Sequence, residues 1–191
     1  MNTILIDSFG RKINYARLSV TDRCDFRCVY CMAEKMTFVP KKDVLSLEEL
    51  YQTAAALIAS GIRKIRLTGG EPLIRNDIMW LIKRISQLQG LEELTLTTNG
   101  SQLVKYAEQL KAYGVRRINI IIDTLDANKF QTITRTGKLQ PVLDGIDAAI
   151  DAGFESIKLN SVILKNRNDD EIIPLINFAK KRSIDIAFIE E

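Results

Sequence analysis

The chain is expected to be an α/β protein: a partial (βα)6 barrel whose curved parallel sheet carries helices on its outside and keeps a polar lumen. Three observations predict this. Six short apolar runs alternate with five helix-period stretches from end to end, the pattern of parallel strands joined by helical crossovers. Along each run one face is apolar and the other polar. The composition, 46% hydrophobic over 191 residues, suits one domain able to bury a core without disulfide support.

Taken in order, the first strand is predicted at 15–21. After the loop that follows it, Ser46 with Glu49 three residues on forms a capping-box signature for a helix that Gly61 ends. A second strand at 63–68 leads to a helix over 76–88. A third strand at 92–97 leads to a helix over 101–112, stopped by Gly114. The fourth strand, 116–123, precedes a short helical piece at 127–133 and a longer helix at 141–152, stopped by Gly153. The fifth strand, 155–164, precedes a helix at 168–181, where Pro174 is tolerated in the first turn or at a kink. The sixth strand is 184–189. Such an order calls for parallel pairing and right-handed crossovers.

The two strand faces select among parallel folds. One reads Leu18/Val20, Ile65/Leu67, Leu94/Leu96, Ile118/Ile120/Ile122 and Ile157/Leu159/Ile163, fit to lie under helices. The other reads Arg17/Ser19/Thr21, Lys64/Arg66/Thr68, Thr95/Thr97/Asn99, Asn119/Ile121/Asp123 and Lys158/Asn160/Val162. A doubly wound sheet would be apolar on both faces, and a closed eight-stranded barrel would fill its interior with branched apolar side chains. Arg17, Arg66 and Lys158 instead suit an open lumen that holds an anionic ligand, while Lys64 is expected to reach solvent at the strand's entry end. The competing reading is a buried network of internal pairs, for instance Arg66 with Asp123.

Composition excludes several functions. The 27 Lys+Arg against 24 Asp+Glu give a charge of +3 spread along the chain, with no basic block to recruit nucleic acid. No apolar run reaches membrane-spanning length and the first residues, MNTILIDSFGRK, lack the order of a secretory signal, so no membrane partner and a cytoplasmic location are expected. The absence of histidine removes His-based triads and HExxH zinc hydrolysis. The last residue, Glu191, comes two positions after the apolar run 184–189, so a domain interrupted at its sixth strand is expected.

The cysteines number three, Cys24, Cys28 and Cys31, in the run C-D-F-R-C-V-Y-C. An odd count in an expected cytoplasmic protein argues against a disulfide framework. Zinc would need a fourth ligand that histidine cannot supply here. Three thiolates on one loop suit a [4Fe-4S] cluster better, leaving one iron open to a ligand.

Cys24-x3-Cys28-x2-Cys31 after the first strand, followed by Gly69-Gly70-Glu71-Pro72 after the second, resembles the radical S-adenosylmethionine (SAM) enzymes. The runs R-L-S-V-T-D-R-C, R-L-T-G-G-E-P-L-I-R, L-T-T-N-G and A-F-I-E resemble the GTP 3',8-cyclase branch, which begins molybdenum cofactor synthesis. The resemblance implies that Cys24, Cys28 and Cys31 hold a [4Fe-4S] cluster, and that one electron from it breaks a carbon–sulfur bond of SAM to give a 5'-deoxyadenosyl radical. It places Tyr30, Gly69, Gly70, Glu71 and Asn99 at SAM. It also assigns Arg17, Arg66, Thr97 and Lys158 to GTP, the three cations agreeing with the lumen reading above. A reductant protein is the implied electron donor, and a homodimer is allowed.

Two departures from the family pattern stand out. Where the family usually has a serine that contacts SAM, two residues before Asp123, this chain has Ile121. The second departure is that the family's C-terminal region, with three more cysteines for a second cluster that binds guanine, has no counterpart after Cys31, so poor GTP turnover is expected. Competing readings are a radical SAM enzyme for another anionic substrate and a non-catalytic fragment that binds a nucleotide or partner through an uncovered barrel end.

Overall fold

The computed structural model describes residues 5–33 and 35–191. Six strands form one sheet: β1 (Tyr15–Ser19), β2 (Lys64–Thr68), β3 (Glu93–Thr98), β4 (Val115–Ile121), β5 (Ser156–Ile163) and β6 (Asp185–Glu190). All five pairings are parallel and the spatial order is β1-β2-β3-β4-β5-β6. A doubly wound sheet reverses its strand order part-way; an order without reversal winds in one sense, as barrel sheets do. Among the described residues β1 and β6 each have one neighbour, so the sheet is open.

The connections are α1 (Leu47–Ala59), α2 (Ile78–Ser86), α3 (Leu103–Ala112), α4 (Ala127–Thr134), α5 (Leu139–Asp151) and α6 (Ile172–Lys181). The capping box opens α1 as expected, with Glu49 N donating to Ser46 Oγ at 3.1 Å and Ser46 N donating to Glu49 Oε2 at 2.7 Å. Pro174 falls at the third position of α6, within the first turn, where no hydrogen bond is lost. A short 3-10 turn, Asp169–Glu171, replaces the start expected at Asn168.

The pleat sorts the residues as their alternation requires. Ile65, Leu67, Leu96, Ile118, Ile120 and Leu159 are fully buried beneath Leu81, Ile85, Leu103, Leu110, Val142 and Ile146 of the helices. The opposite face stays polar and half open. Along it Arg17, Arg66 and Thr95 share one register row, followed by Arg117 past a bulge at Leu94/Thr95. The next row runs Thr97, Asn119, Lys158 and Asp185. The entry end closes with ion pairs from Glu93 to Lys64 (3.5 Å) and Arg117 (3.6 Å), so Lys64 reaches the rim as expected.

At the sixth strand Ile184 and Ile186 pack against the core, while Phe188 and Ile189 remain exposed. No helix among the described residues is long and apolar enough to cross a membrane.

Candidate functional site

Parallel winding brings every strand's C-terminal end to one rim, where loops meet over a cavity of about 410 Å³, within the range of small-molecule sites. Its lining includes Cys24, Cys28, Cys31, Tyr30, Gly69, Gly70, Thr97, Asn99 and Arg17. Nine of the twelve residues singled out in the sequence thus meet in one place. Glu71, Arg66 and Lys158 are not in the lining.

The cysteine loop is held from three sides. On one side stands the glycine turn after β2. Gly70 N donates to Thr21 O at 2.7 Å and Glu71 N to Arg23 O at 2.8 Å. A Cβ on Gly69 would meet Thr21 O at 2.3 Å, and one on Gly70 would meet Arg23 O at 2.1 Å. The glycines are therefore required first for docking turn against cysteine loop, a role prior to any approach of their backbone to a ligand. Gly69 also holds φ +147°, which a side chain would oppose.

Glu71 explains the next link. Fully buried, its carboxylate accepts from Leu73 N (2.9 Å), Thr98 Oγ1 (2.9 Å) and Asn99 N (2.6 Å), fastening the glycine turn to the end of β3. Burial pushes its pKa up to about 7, against the pull of those donors. Asn99 in turn donates from Nδ2 to Asp25 Oδ1 at 2.6 Å and to Cys24 Sγ at 3.8 Å, and Ser101 Oγ donates to Asp25 Oδ2 at 2.6 Å. Asp25, passed over in the sequence, is what fixes the cysteine loop to β3.

On the third side Tyr30 OH donates to Asp123 Oδ2 at 2.8 Å, while Val162 N donates to Asp123 Oδ1 at 2.8 Å. Asp123 therefore pairs with Tyr30, and the proposed Arg66 to Asp123 pair does not form. Burial raises the Asp123 pKa to about 6 and drives that of the Tyr30 phenol upward. Arg66 donates to Thr95 Oγ1 at 3.3 Å and lies over the Tyr15 ring. Arg17 and Lys158 make no hydrogen bond or ion pair with other described residues, leaving two cations on the inner face free for an anion.

The donor set fits an iron–sulfur cluster. Among the described residues no three His, Cys, Asp or Glu side chains converge on a single ion. A cluster takes its thiolates on three different irons, so convergence on one point is not its requirement. Burial pushes the Cys24 thiol up to about 11 and, aided by Asp123, the Cys28 thiol up to about 12; ligated iron reverses that balance by its positive charge. Phe26 N and Asn99 Nδ2 both donate to Cys24 Sγ, as an anionic sulfur needs. Three buried side-chain oxygens lack a partner among the described residues, and two of them, Asp22 Oδ1 and Thr97 Oγ1, belong to residues of the cavity wall. Orphaned oxygens there suit a polar ligand.

Residues 18–179 match the family described as Radical SAM superfamily, a span that includes the cysteine loop and both turns. The chain belongs to the radical SAM superfamily. That superfamily uses a [4Fe-4S] cluster and SAM. The chain is 60% identical to a protein of Marinobacter nauticus named GTP 3',8-cyclase, over 99% of its own length and 57% of that protein's. It is 58% identical to GTP 3',8-cyclase 2 of Pseudomonas aeruginosa, over 98% of itself and 56% of the relative. It thus spans a little over half the length of the curated relatives it matches. Among solved structures, Streptococcus suis SuiB bound to the precursor peptide SuiA superposes at a TM-score of 0.77 with 18% identity, over 93% of this chain and 39% of that one. Methylornithine synthase (PylB) superposes at 0.70 with 13% identity, over 92% and 52%. These two likenesses bear on the fold alone, and they agree with the open parallel sheet.

Proposed function

We propose that residues 1–191 form the radical SAM core of a GTP 3',8-cyclase, acting in the cytoplasm at the start of molybdenum cofactor synthesis. The observation that carries the reading is the convergence of cysteine loop, glycine turn and Asn99 turn on one cavity, in a chain 60% identical to a named cyclase. Cys24, Cys28 and Cys31 would hold the cluster, with Tyr30, Gly69, Gly70 and Asn99 around SAM. When bound, cluster and SAM together supply reductive cleavage of a carbon–sulfur bond. The chain's own residues do the rest. Asp25 and Glu71 hold the two turns against the cysteine loop, Tyr30 and Asp123 wall the site toward β5, and Phe26 and Phe130 help keep water out. Arg17 and Thr97 at the cavity, with Arg66 beside Arg17 and Lys158 in the row of Thr97 on the same face, offer GTP a triphosphate site. A reductant protein would deliver the electron, and pairing of two copies is compatible with this reading.

Anaerobic reconstitution with iron and sulfide, then addition of SAM and dithionite, should yield an iron–sulfur chromophore and 5'-deoxyadenosine. Arg17→Ala should weaken GTP binding while leaving the chromophore intact. A chain that takes up no iron, or takes it up and never cleaves SAM, would sink the proposal.

A further inference from the structure

Between α4 and α5 the chain makes a γ-turn. Thr136 N donates to Thr134 O at 2.7 Å, and Arg135 between them holds φ 61° and ψ −41°. Turns of this sign are rare and strained for a residue that carries a Cβ, and strain of that kind persists where the surroundings enforce it. What this turn presents is a guanidinium. Arg135 Nη1 donates to Arg27 O at 3.1 Å and to Met32 O at 2.9 Å. Those two carbonyls lie immediately before Cys28 and immediately after Cys31. One nitrogen therefore closes the ends of the segment that carries two of the three cysteines.

The bonds beside it run the same way. Arg27 N donates to Thr134 O (2.8 Å), Val29 N to Ile133 O (2.9 Å) and Thr136 Oγ1 to Asp25 O (2.7 Å). Arg135 forms no ion pair with an acid among the described residues, so its charge is directed at loop carbonyls. We propose that Arg135 is a positioning residue, whose strained turn exists to tie the Arg27 and Met32 carbonyls together and so set the spacing of Cys28 and Cys31 for the cluster. The inference rests on the cysteines holding a cluster, as read above.

The test compares wild type, Cys28→Ser, Arg135→Gly and Arg135→Lys after anaerobic reconstitution with iron and sulfide. Its readouts are iron per chain, iron loss to a chelator, the electron paramagnetic resonance signal of the reduced cluster before and after SAM, and the melting temperature of the iron-free protein. Glycine takes a positive φ without strain, so iron-free Arg135→Gly should melt at or above wild type. It should nonetheless release iron about 10- to 100-fold faster, the range for groups that orient metal ligands, and give a broadened resonance signal. Arg135→Lys, a cation on the same backbone, should fall between the two. Iron release at the wild-type rate in Arg135→Gly would overturn the proposal, as would a lowered iron-free melting temperature that accounts for the iron loss. Should Arg135→Gly not accumulate in soluble form, Arg135→Lys decides, and wild-type iron release there refutes the role. A wild-type chain that behaves like Cys28→Ser would show instead that the cluster reading itself has failed.

Discussion

Gly70→Ala tests the docking of the glycine turn most directly. A methyl carbon there would stand 2.1 Å from Arg23 O, 2.5 Å from Arg23 C and 3.0 Å from Asp22 O, all backbone atoms that no rotamer change can move. Such contacts are not found below 3.0 Å, so turn and loop must separate by the difference, about 0.9 Å. The bonds from Gly70 N to Thr21 O and from Glu71 N to Arg23 O, now 2.7 and 2.8 Å, then stretch past the hydrogen-bond range of about 3.2 Å. Unsatisfied groups of this kind cost about 1.5 kcal/mol each, about 3 kcal/mol together. In a domain of this size that lowers the melting temperature of the iron-free protein by about 6–12 °C, readable by calorimetry or circular dichroism. Gly153→Ala is the control for a methyl group added without a close approach. Its φ of +71° disfavours alanine, a penalty of about 1 kcal/mol that Gly70 does not carry, yet a Cβ there meets nothing within 4 Å, so the left-handed penalty alone applies. If Gly70→Ala melts no lower than Gly153→Ala, the close approach is not what fixes glycine at this position.

Glu71, with its pKa raised by burial to about 7 from an ordinary 4.5, and Asp123, raised by burial to about 6 from 3.8, bind protons more tightly in the folded chain than in the unfolded one. Their contribution to stability is complete below the ordinary values and fades as pH rises through the folded ones, so the iron-free denaturation midpoint should fall between pH 4.5 and 7, with Glu71→Gln flattening that slope; a midpoint rising over this window in wild type would contradict it. Alkylation of the iron-free protein at pH 8, followed by peptide mass spectrometry, should label exposed Cys31 first, because burial holds the Cys24 and Cys28 thiols protonated; equal labelling of all three would show that the loop is not ordered without iron. Ile121→Ser returns a hydroxyl to the cavity wall and should tighten SAM binding about 5- to 10-fold by calorimetric titration of the reconstituted protein, consistent with one hydrogen bond of about 1 kcal/mol; no change would mean that the ligand does not reach this strand.

Most of the fold could be read in the sequence because it depends on patterns of period two and 3.6, which survive without knowledge of neighbours. Even the side of the sheet that stays polar was visible in Arg17, Thr97 and Asn119. Gly69 and Gly70 were legible as a site, but not for the reason that makes them glycine: their neighbours Thr21 and Arg23 lie 48 and 47 positions earlier, and a close approach across that separation leaves no local mark. Arg66 and Lys158 show the converse case. Alternation placed both on the inner face, and the register sets Arg66 level with Arg17 and Lys158 in the row of Thr97, two residues that line the cavity; what alternation does not carry is where a side chain comes to rest, and Arg66 turns to Thr95 Oγ1 and the Tyr15 ring.

Asp25, Asp123 and Arg135 were missed as parts of the site for a shared physical reason. Each acts on the cysteine loop through a partner on another element: Asn99 and Ser101, Tyr30, and the Arg27 and Met32 carbonyls. Their division of labour follows from charge. Burial, aided by the nearby carboxylates of Asp25, Glu71 and Asp123, keeps Cys24 and Cys28 protonated in the iron-free protein, whereas Arg135 holds backbone carbonyls and leaves the sulfurs alone. A loop clamped by acids is rigid but electrostatically unfavourable to thiolates. Positive iron converts that conflict into attraction, so cluster binding should both deprotonate the cysteines and tighten the clamps around them.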